Sequence, residues 1–180
     1  MSTFQGPAVV TAALRQRLLE VVLHDVPTAT VSAVRNADPG TAGVPAIGVN
    51  LFLFAAHPNA ALRNADLPLR RSGGTLLARP AIALDLDYLI SFHGDEAGVA
   101  HQLLGVVMRS LYARPVLTPA MISAVETPAS GFSSRLAEQE DRVRLSLLPL
   151  PIEEMAKLWS MFSHTSYALS IGVRAGPVLI

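Results

Sequence analysis

Apolar positions recur along this chain with two periods, and the switches between them predict its elements. Residues 7 to 24 place Val10, Ala13, Leu14, Arg17, Leu18, Val21 and Val22 at three- and four-residue spacing, the signature of an amphipathic helix. Pro7 suits its first turn, where a missing N–H has no partner to lose, and Pro27 ends it. Val31 and Ala33 suggest a short strand before the turn-rich Asn36-Ala37-Asp38-Pro39-Gly40. Residues 46 to 55 are apolar on both faces, with Ile47, Val49, Leu51 and Leu53 opposed by Phe52 and Phe54, as in a central strand covered on both sides. Residues 81 to 92 alternate most cleanly. Ile82, Leu84, Leu86, Tyr88, Ile90 and Phe92 share one face, and Ala83, Asp85 and Asp87 the other, predicting a long strand with one buried face.

Between these two strands, residues 59 to 79 form a long polar connection. A second helix is predicted from about Glu96 to Tyr112 on the stripe Ala100, Leu103, Leu104, Val107 and Leu111, with Pro115 barring continuation. Residues 118 to 140 are irregular, with one helical turn at Met121, Ile122 and Val125 and a loop from Pro128 to Ser134. Val143, Leu145 and Leu147 alternate with polar neighbours as a strand. Pro151 opens a helix to about Ser163, whose apolar side carries Ile152, Met155, Leu158, Trp159 and Phe162. A last strand alternates Tyr167, Leu169, Ile171 and Val173 with smaller or polar residues, and the apolar tail from Pro177 to Ile180 is expected to dock. This order predicts an α+β fold, a mixed and mainly antiparallel sheet flanked by helices, with residues 1–180 as one domain.

Composition narrows the function. Apolar residues make up 51% and charged residues 16%, below the roughly 25% of an ordinary soluble domain. Global disorder is excluded, and so sparse a charge suggests a surface partly covered by other subunits. Fourteen basic and fourteen acidic residues give no net charge, which argues against a nucleic-acid coat or a polybasic membrane binder. There are no cysteines, so disulfides, zinc thiolates and thiol catalysis are excluded. The first sixteen residues lack the basic region of a secretory signal, and no stretch approaches the length of a membrane-spanning helix.

Candidate chemistry is thin. His24, His57, His93, His101 and His164 show no helical metal-ligand spacing and read as satisfied or exposed side chains. Asp85 and Asp87 share a strand face about 6 to 7 Å apart. Two carboxylates so placed could hold a metal or do acid/base work. The plainer reading has them line the polar face of a half-exposed strand or meet arginines of a neighbouring chain. Gly73-Gly74 lacks the Lys and Ser/Thr of a phosphate loop, and Gly131-Phe132-Ser133-Ser134 lacks the second glycine of a nucleophile elbow. No catalytic residue and no cofactor is assigned. A small ligand-binding module or a hydrolase using Asp85 and Asp87 stands as the alternative to an assembly protein.

A set of stretches in order carries a family resemblance. It comprises Val49-Asn50-Leu51-Phe52-Leu53-Phe54, Pro58-Asn59-Ala60-Ala61-Leu62-Arg63-Asn64, Arg79-Pro80 and Leu84-Asp85-Leu86-Asp87-Tyr88-Leu89-Ile90. It continues with His101-Gln102-Leu103-Leu104-Gly105, Leu111-Tyr112-Ala113-Arg114-Pro115-Val116-Leu117, Leu158-Trp159-Ser160-Met161-Phe162 and Tyr167-Ala168-Leu169-Ser170. The sequence resembles the cap, or tail-terminator, family of extracellular contractile injection systems, which are phage-tail-like particles. Asp87 departs from it where the family often carries His, and residues 118 to 140 match nothing in it. The chain also ends soon after its last strand, so the extension of larger relatives is not expected.

The resemblance implies a phage tail-terminator fold and a structural role. It implies a homohexameric ring that ends the inner tube and anchors the last sheath layer. The partners expected are other copies of the chain, the tube protein and the sheath protein, with neither nucleic acid nor membrane. Assembly is expected in the bacterial cytoplasm, within a particle that can leave the cell. On this reading the candidate interface residues are Asp85 and Asp87 and the arginines of the long loop, Arg63, Arg70, Arg71 and Arg79. Their guanidinium groups suit bidentate bonds to carboxylates of adjoining subunits.

Overall fold

The structure, a computed structural model, describes residues 4–62, 82–127 and 130–180. In chain order the elements are α1 (Gly6–Asp25), β1 (Thr30–Ser32), β2 (Gly48–Pro58), β3 (Ala83–His93), α2 (Ala97–Ala113), α3 (Pro119–Val125), a 3-10 turn (Leu136–Glu138), β4 (Arg144–Leu148), α4 (Ile152–Ser160) and β5 (Ser170–Leu179). The strands form one sheet in the order β1-β2-β3-β5-β4. β1 runs parallel to β2 and the remaining pairs are antiparallel. The mixed α+β sheet predicted from the sequence is therefore present.

The principal core lies between one sheet face and α1, α2 and α3. Val10, Leu14 and Leu18 of α1 pack with Leu103 and Val107 of α2 against Leu51, Tyr88, Ile90 and Val173. Tyr88, fully buried, keeps its hydroxyl satisfied at 2.8 Å from Thr11 Oγ1. Arg17 faces this core as its helical position predicts, and its guanidinium donates to the Ser110 carbonyl on α2.

The second face is where expectation and structure part. The alternation of residues 81 to 92 predicts a strand with one buried face, yet β3 is buried on both. Leu89, on the Asp85 and Asp87 side, packs with Met155, Trp159 and Phe162 from α4 and the turn after it. Phe52 meets the Phe162 ring edge-on at 5.2 Å, which explains why β2 is apolar on both faces. Trp159 and Phe162 are core, as expected, whereas Ile152, placed on the apolar side of α4, stands 80% exposed.

Smaller corrections follow from capping and pairing. The irregular stretch holds two turns of helix, because Pro119 starts α3 and Thr118 Oγ1 accepts from Met121 N at 3.3 Å. The apolar tail is no separate docking segment. It continues β5, and Ile82 and Ile180 exchange backbone bonds of 3.0 and 2.9 Å.

A buried polar chain ties β2 and β3 to the loop after β1. The Asn50 carboxamide accepts from Val34 N at 3.1 Å and donates to Val34 O and to Asn36 Oδ1. Ser91 Oγ donates to Asn36 Oδ1 at 3.2 Å and lies 3.0 Å from His93 Nε2. With the Ser91 proton committed to Asn36, His93 must donate from Nε2. Burial pushes the His93 imidazole below its ordinary 6.5. Its depressed pKa means that the unfolded chain takes up a proton before the folded chain does. Its contribution is then complete above about pH 6.5 and is lost as pH falls below it. Urea denaturation of the parent chain should show stability declining from about pH 7.5 to about 5, and His93→Gln should flatten that decline. An unchanged slope in the variant would assign it to other groups.

Candidate interface on the open sheet face

Two irregularities in the strands build the candidate site. β2 pairs with β3 as Leu53↔Tyr88 and then Ala55↔Asp87, so Phe54 is an extra residue in a bulge. The shift turns His57 onto the face of Asp85, its cross-strand partner. On the other side, β3 pairs with β5 as Leu84↔Val178 and Leu86↔Ala175, so β5 bulges at Gly176-Pro177. Beyond the bulge Arg174 comes opposite Asp87.

Asp87 is buried and both of its oxygens are used. Arg174 Nε donates to Oδ1 at 2.7 Å and Nη2 to Oδ2 at 2.8 Å, a bidentate pair. The Asp87 carboxylate raises the Arg174 pKa further above its ordinary value. His57 Nε2 lies 3.5 Å from Asp87 Oδ2, with most of its ring in solvent. Asp85 is half-buried and accepts from Asn59 Nδ2 at 2.8 Å. Asn59 Oδ1 in turn accepts from the Ala61 and Leu62 N–H groups at 3.1 and 3.0 Å, which fixes the chain as it leaves β2. Gly176 lacks a side chain where Asp85 sits, since a Cβ there would lie 2.0 Å from Asp85 Oδ1.

The half-exposed setting expected for the two aspartates therefore holds for Asp85 and fails for Asp87. Asp87 meets an arginine of its own chain, supplied by the neighbouring strand. Among the described residues no group of three His, Asp or Glu side chains is placed to hold a metal ion, and Asp85, Asp87 and His57 do not form one. The predicted loop residues Arg63, Arg70, Arg71 and Arg79 lie outside the described residues. His57 and Arg174 were not foreseen at this site. The only sequence signal for Arg174 is its place among the polar positions of the last strand.

What the fold and the site define together is an α+β protein built on one mixed, mainly antiparallel sheet. Three helices cover one face of the sheet, and on the other face, beyond α4, lies a charged cluster whose Asp87 is buried. A family profile, the Pvc16 N-terminal domain, matches residues 8–180, and the chain belongs to that family. The resemblance read from the sequence is thereby borne out.

Two of the solved structures that share the fold are informative. One is the sheath/tube terminator of an extracellular contractile injection system, PVC, seen by cryo-electron microscopy in its extended state. It has a TM-score of 0.62 and 15% identity over 100% of this chain. The other is the tube-terminating cap of the anti-feeding prophage, with a TM-score of 0.56 and 19% identity over 92% of this chain. The chain spans 57% and 52% of the lengths of those two proteins. No curated protein matches the sequence. Among the described residues no helix is long and apolar enough to cross a membrane.

Proposed function

We propose that this chain is the terminator of a contractile, phage-tail-like injection particle. It forms a sixfold ring that ends the inner tube and anchors the last sheath layer. The observation that carries the reading is the match of the whole chain to the fold of a sheath/tube terminator, beside its membership of the Pvc16 N-terminal domain family. A closed ring needs a heterologous contact, two different patches of each subunit meeting. The charged cluster of Asp85, His57 and Arg174, held by the buried Asp87, is one such patch, and the segment with Arg63, Arg70, Arg71 and Arg79 is the other. Charges across the contact fix register more than they add affinity. The role calls for no catalysis and no cofactor. Assembly takes place in the bacterial cytoplasm, and the protein leaves with the particle.

The test combines native mass spectrometry with electron microscopy of particles assembled from tube, sheath and this chain. The expected result is a six-subunit ring at one end of tails of uniform length. Changing Arg70 and Arg71 together to Ala should leave folding intact and release the control of tail length. A chain that stays monomeric when the tube protein is added would overturn the reading. Normal tail length in the double variant would remove the loop from it.

A further inference from the structure

We infer that the cleft where α1, α2 and the start of α3 meet is a binding site for a single carboxylate group, held by the guanidinium groups of Arg17 and Arg114. The inference does not depend on the terminator reading.

Arg17 belongs to the buried row of α1 with Ala13, Leu14 and Leu18, and only 4% of it is exposed. The C-terminal end of α2 draws it inward, because carbonyls there carry partial negative charge. Ser110, in the last turn of α2, offers its carbonyl to Arg17 Nη2, and its hydroxyl lies 3.4 Å from the same nitrogen. Nη1 of that guanidinium is shut off from water as well, and it meets no acceptor among the described residues. A guanidinium keeps its charge and carries five donors, so a buried nitrogen without an acceptor is an exception that calls for one.

Arg17 lines a cleft of about 340 Å³, whose wall also holds Glu20 of α1, Arg109 and Arg114 at the end of α2, and Met121 of α3. Arg109 is already matched by Asp25 at the end of α1. Arg114 caps α2, and its guanidinium has no ion pair or hydrogen bond among the described residues. Burial, and after it the charge of Arg114, pushes the Arg17 pKa below its ordinary value, so the two cations repel across the cleft. Glu20 does not relieve them. Its carboxylate is exposed, accepts from Gln16 Nε2 at 3.5 Å and pairs with neither arginine.

The charges on the wall select the ligand. With Arg109 matched by Asp25, Arg17 and Arg114 outweigh Glu20 by a single charge. A monoanion balances the cleft, whereas a phosphate dianion would overshoot it and face Glu20. The two oxygens of a carboxylate also fit the fork of a guanidinium, which chloride does not. Val21, Ala113 and Met121 give the same cleft an apolar wall suited to a short aliphatic stem. The matching chemistry is a carboxylate on two or three methylene groups, whether a small free acid or the side chain of a glutamate from another protein.

The test follows thermal unfolding of the whole chain at constant ionic strength while four probes are titrated: butyrate, N-acetyl glutamate α-amide, its glutamine counterpart and inorganic phosphate. Each carboxylate, at about ten times its Kd, should raise the midpoint by about 4 °C, and the glutamine amide and phosphate far less. Tighter binding of butyrate assigns the site to a free acid, and tighter binding of the glutamate amide assigns it to an acidic side chain; both support the site. Arg114→Gln, at an exposed position, should weaken the carboxylates about tenfold with the fold intact, and Arg17→Met should abolish their effect. Because Arg17→Met removes a packed side chain, Arg114→Gln decides the matter if that variant fails to fold. Glu20→Gln should strengthen binding about threefold by removing a like charge. No gain from either carboxylate, equal gains from the glutamate and glutamine amides, a gain from phosphate as large as theirs, or unchanged affinity in Arg114→Gln would overturn the proposal. Lost stability in Glu20→Gln without tighter binding would overturn it in favour of Glu20 as the counter-ion.

Discussion

Gly48→Ala should cost about 3 kcal/mol or more, among the largest effects of any single methyl group added to this chain. Gly48 opens β2 with φ +148°, a conformation that residues with a Cβ rarely adopt. An added Cβ would lie 2.0 Å from Thr30 O and 2.8 Å from Thr30 N. Both are backbone atoms, so no rotamer change relieves the contact. Thr30 is also the register partner of Gly48 in the parallel β1–β2 pair, and retreat of β1 breaks that pairing. β1 carries Val31 and follows Ala29, both buried against α1, so its retreat opens the principal core as well. Urea denaturation measures the loss. Gly98→Ala is the control: nothing lies within 4 Å of its added Cβ, and alanine in α2 should be neutral or gain up to about 1 kcal/mol. Equal midpoints for the two variants would show that β1 yields to the methyl group without cost.

The elements that could be read from the sequence are those whose burial follows one local period. α2 packs on one side, so Leu103, Val107 and Leu111 mark it clearly, and its range differs from expectation by a residue at each end. β3 was legible as a strand for the same reason. Its second buried face was not, because Asp85 and Asp87 dominate that row while Leu89 is its one large apolar residue. The cover over Leu89 comes from α4, more than sixty residues later, and only the two-sided apolarity of Phe52 and Phe54 hinted at it. The candidate site depends still more on distant partners. A bulge at Phe54 moves His57 by one face, and a bulge at Gly176-Pro177 sets Arg174 against Asp87. Bulges leave no period in the sequence, so the partners they create have no local signal.

The Asp87–Arg174 pair should respond asymmetrically to loss of its two members. The Asp87 side chain is 3% exposed and that of Arg174 38%. Arg174→Met leaves a carboxylate buried, with His57 Nε2 at 3.5 Å as a remaining polar neighbour. Stranding a buried charge in this way costs about 3–5 kcal/mol. Asp87→Asn leaves a guanidinium that already reaches water, and the loss should be nearer 1–2 kcal/mol, the scale of a charge-assisted hydrogen bond. Changing both residues, Asp87→Leu with Arg174→Met, should recover most of the stability, since an apolar pair of similar volume replaces a buried ion pair at little cost. Urea denaturation of the three variants at neutral pH reads all of this. Losses of equal size in the two single variants would mean that Arg174 is as desolvated as Asp87. The doubly apolar variant also separates folding from assembly. If this patch is a subunit contact, the variant folds but forms no ring; if it is only an internal clamp, ring formation survives with stability.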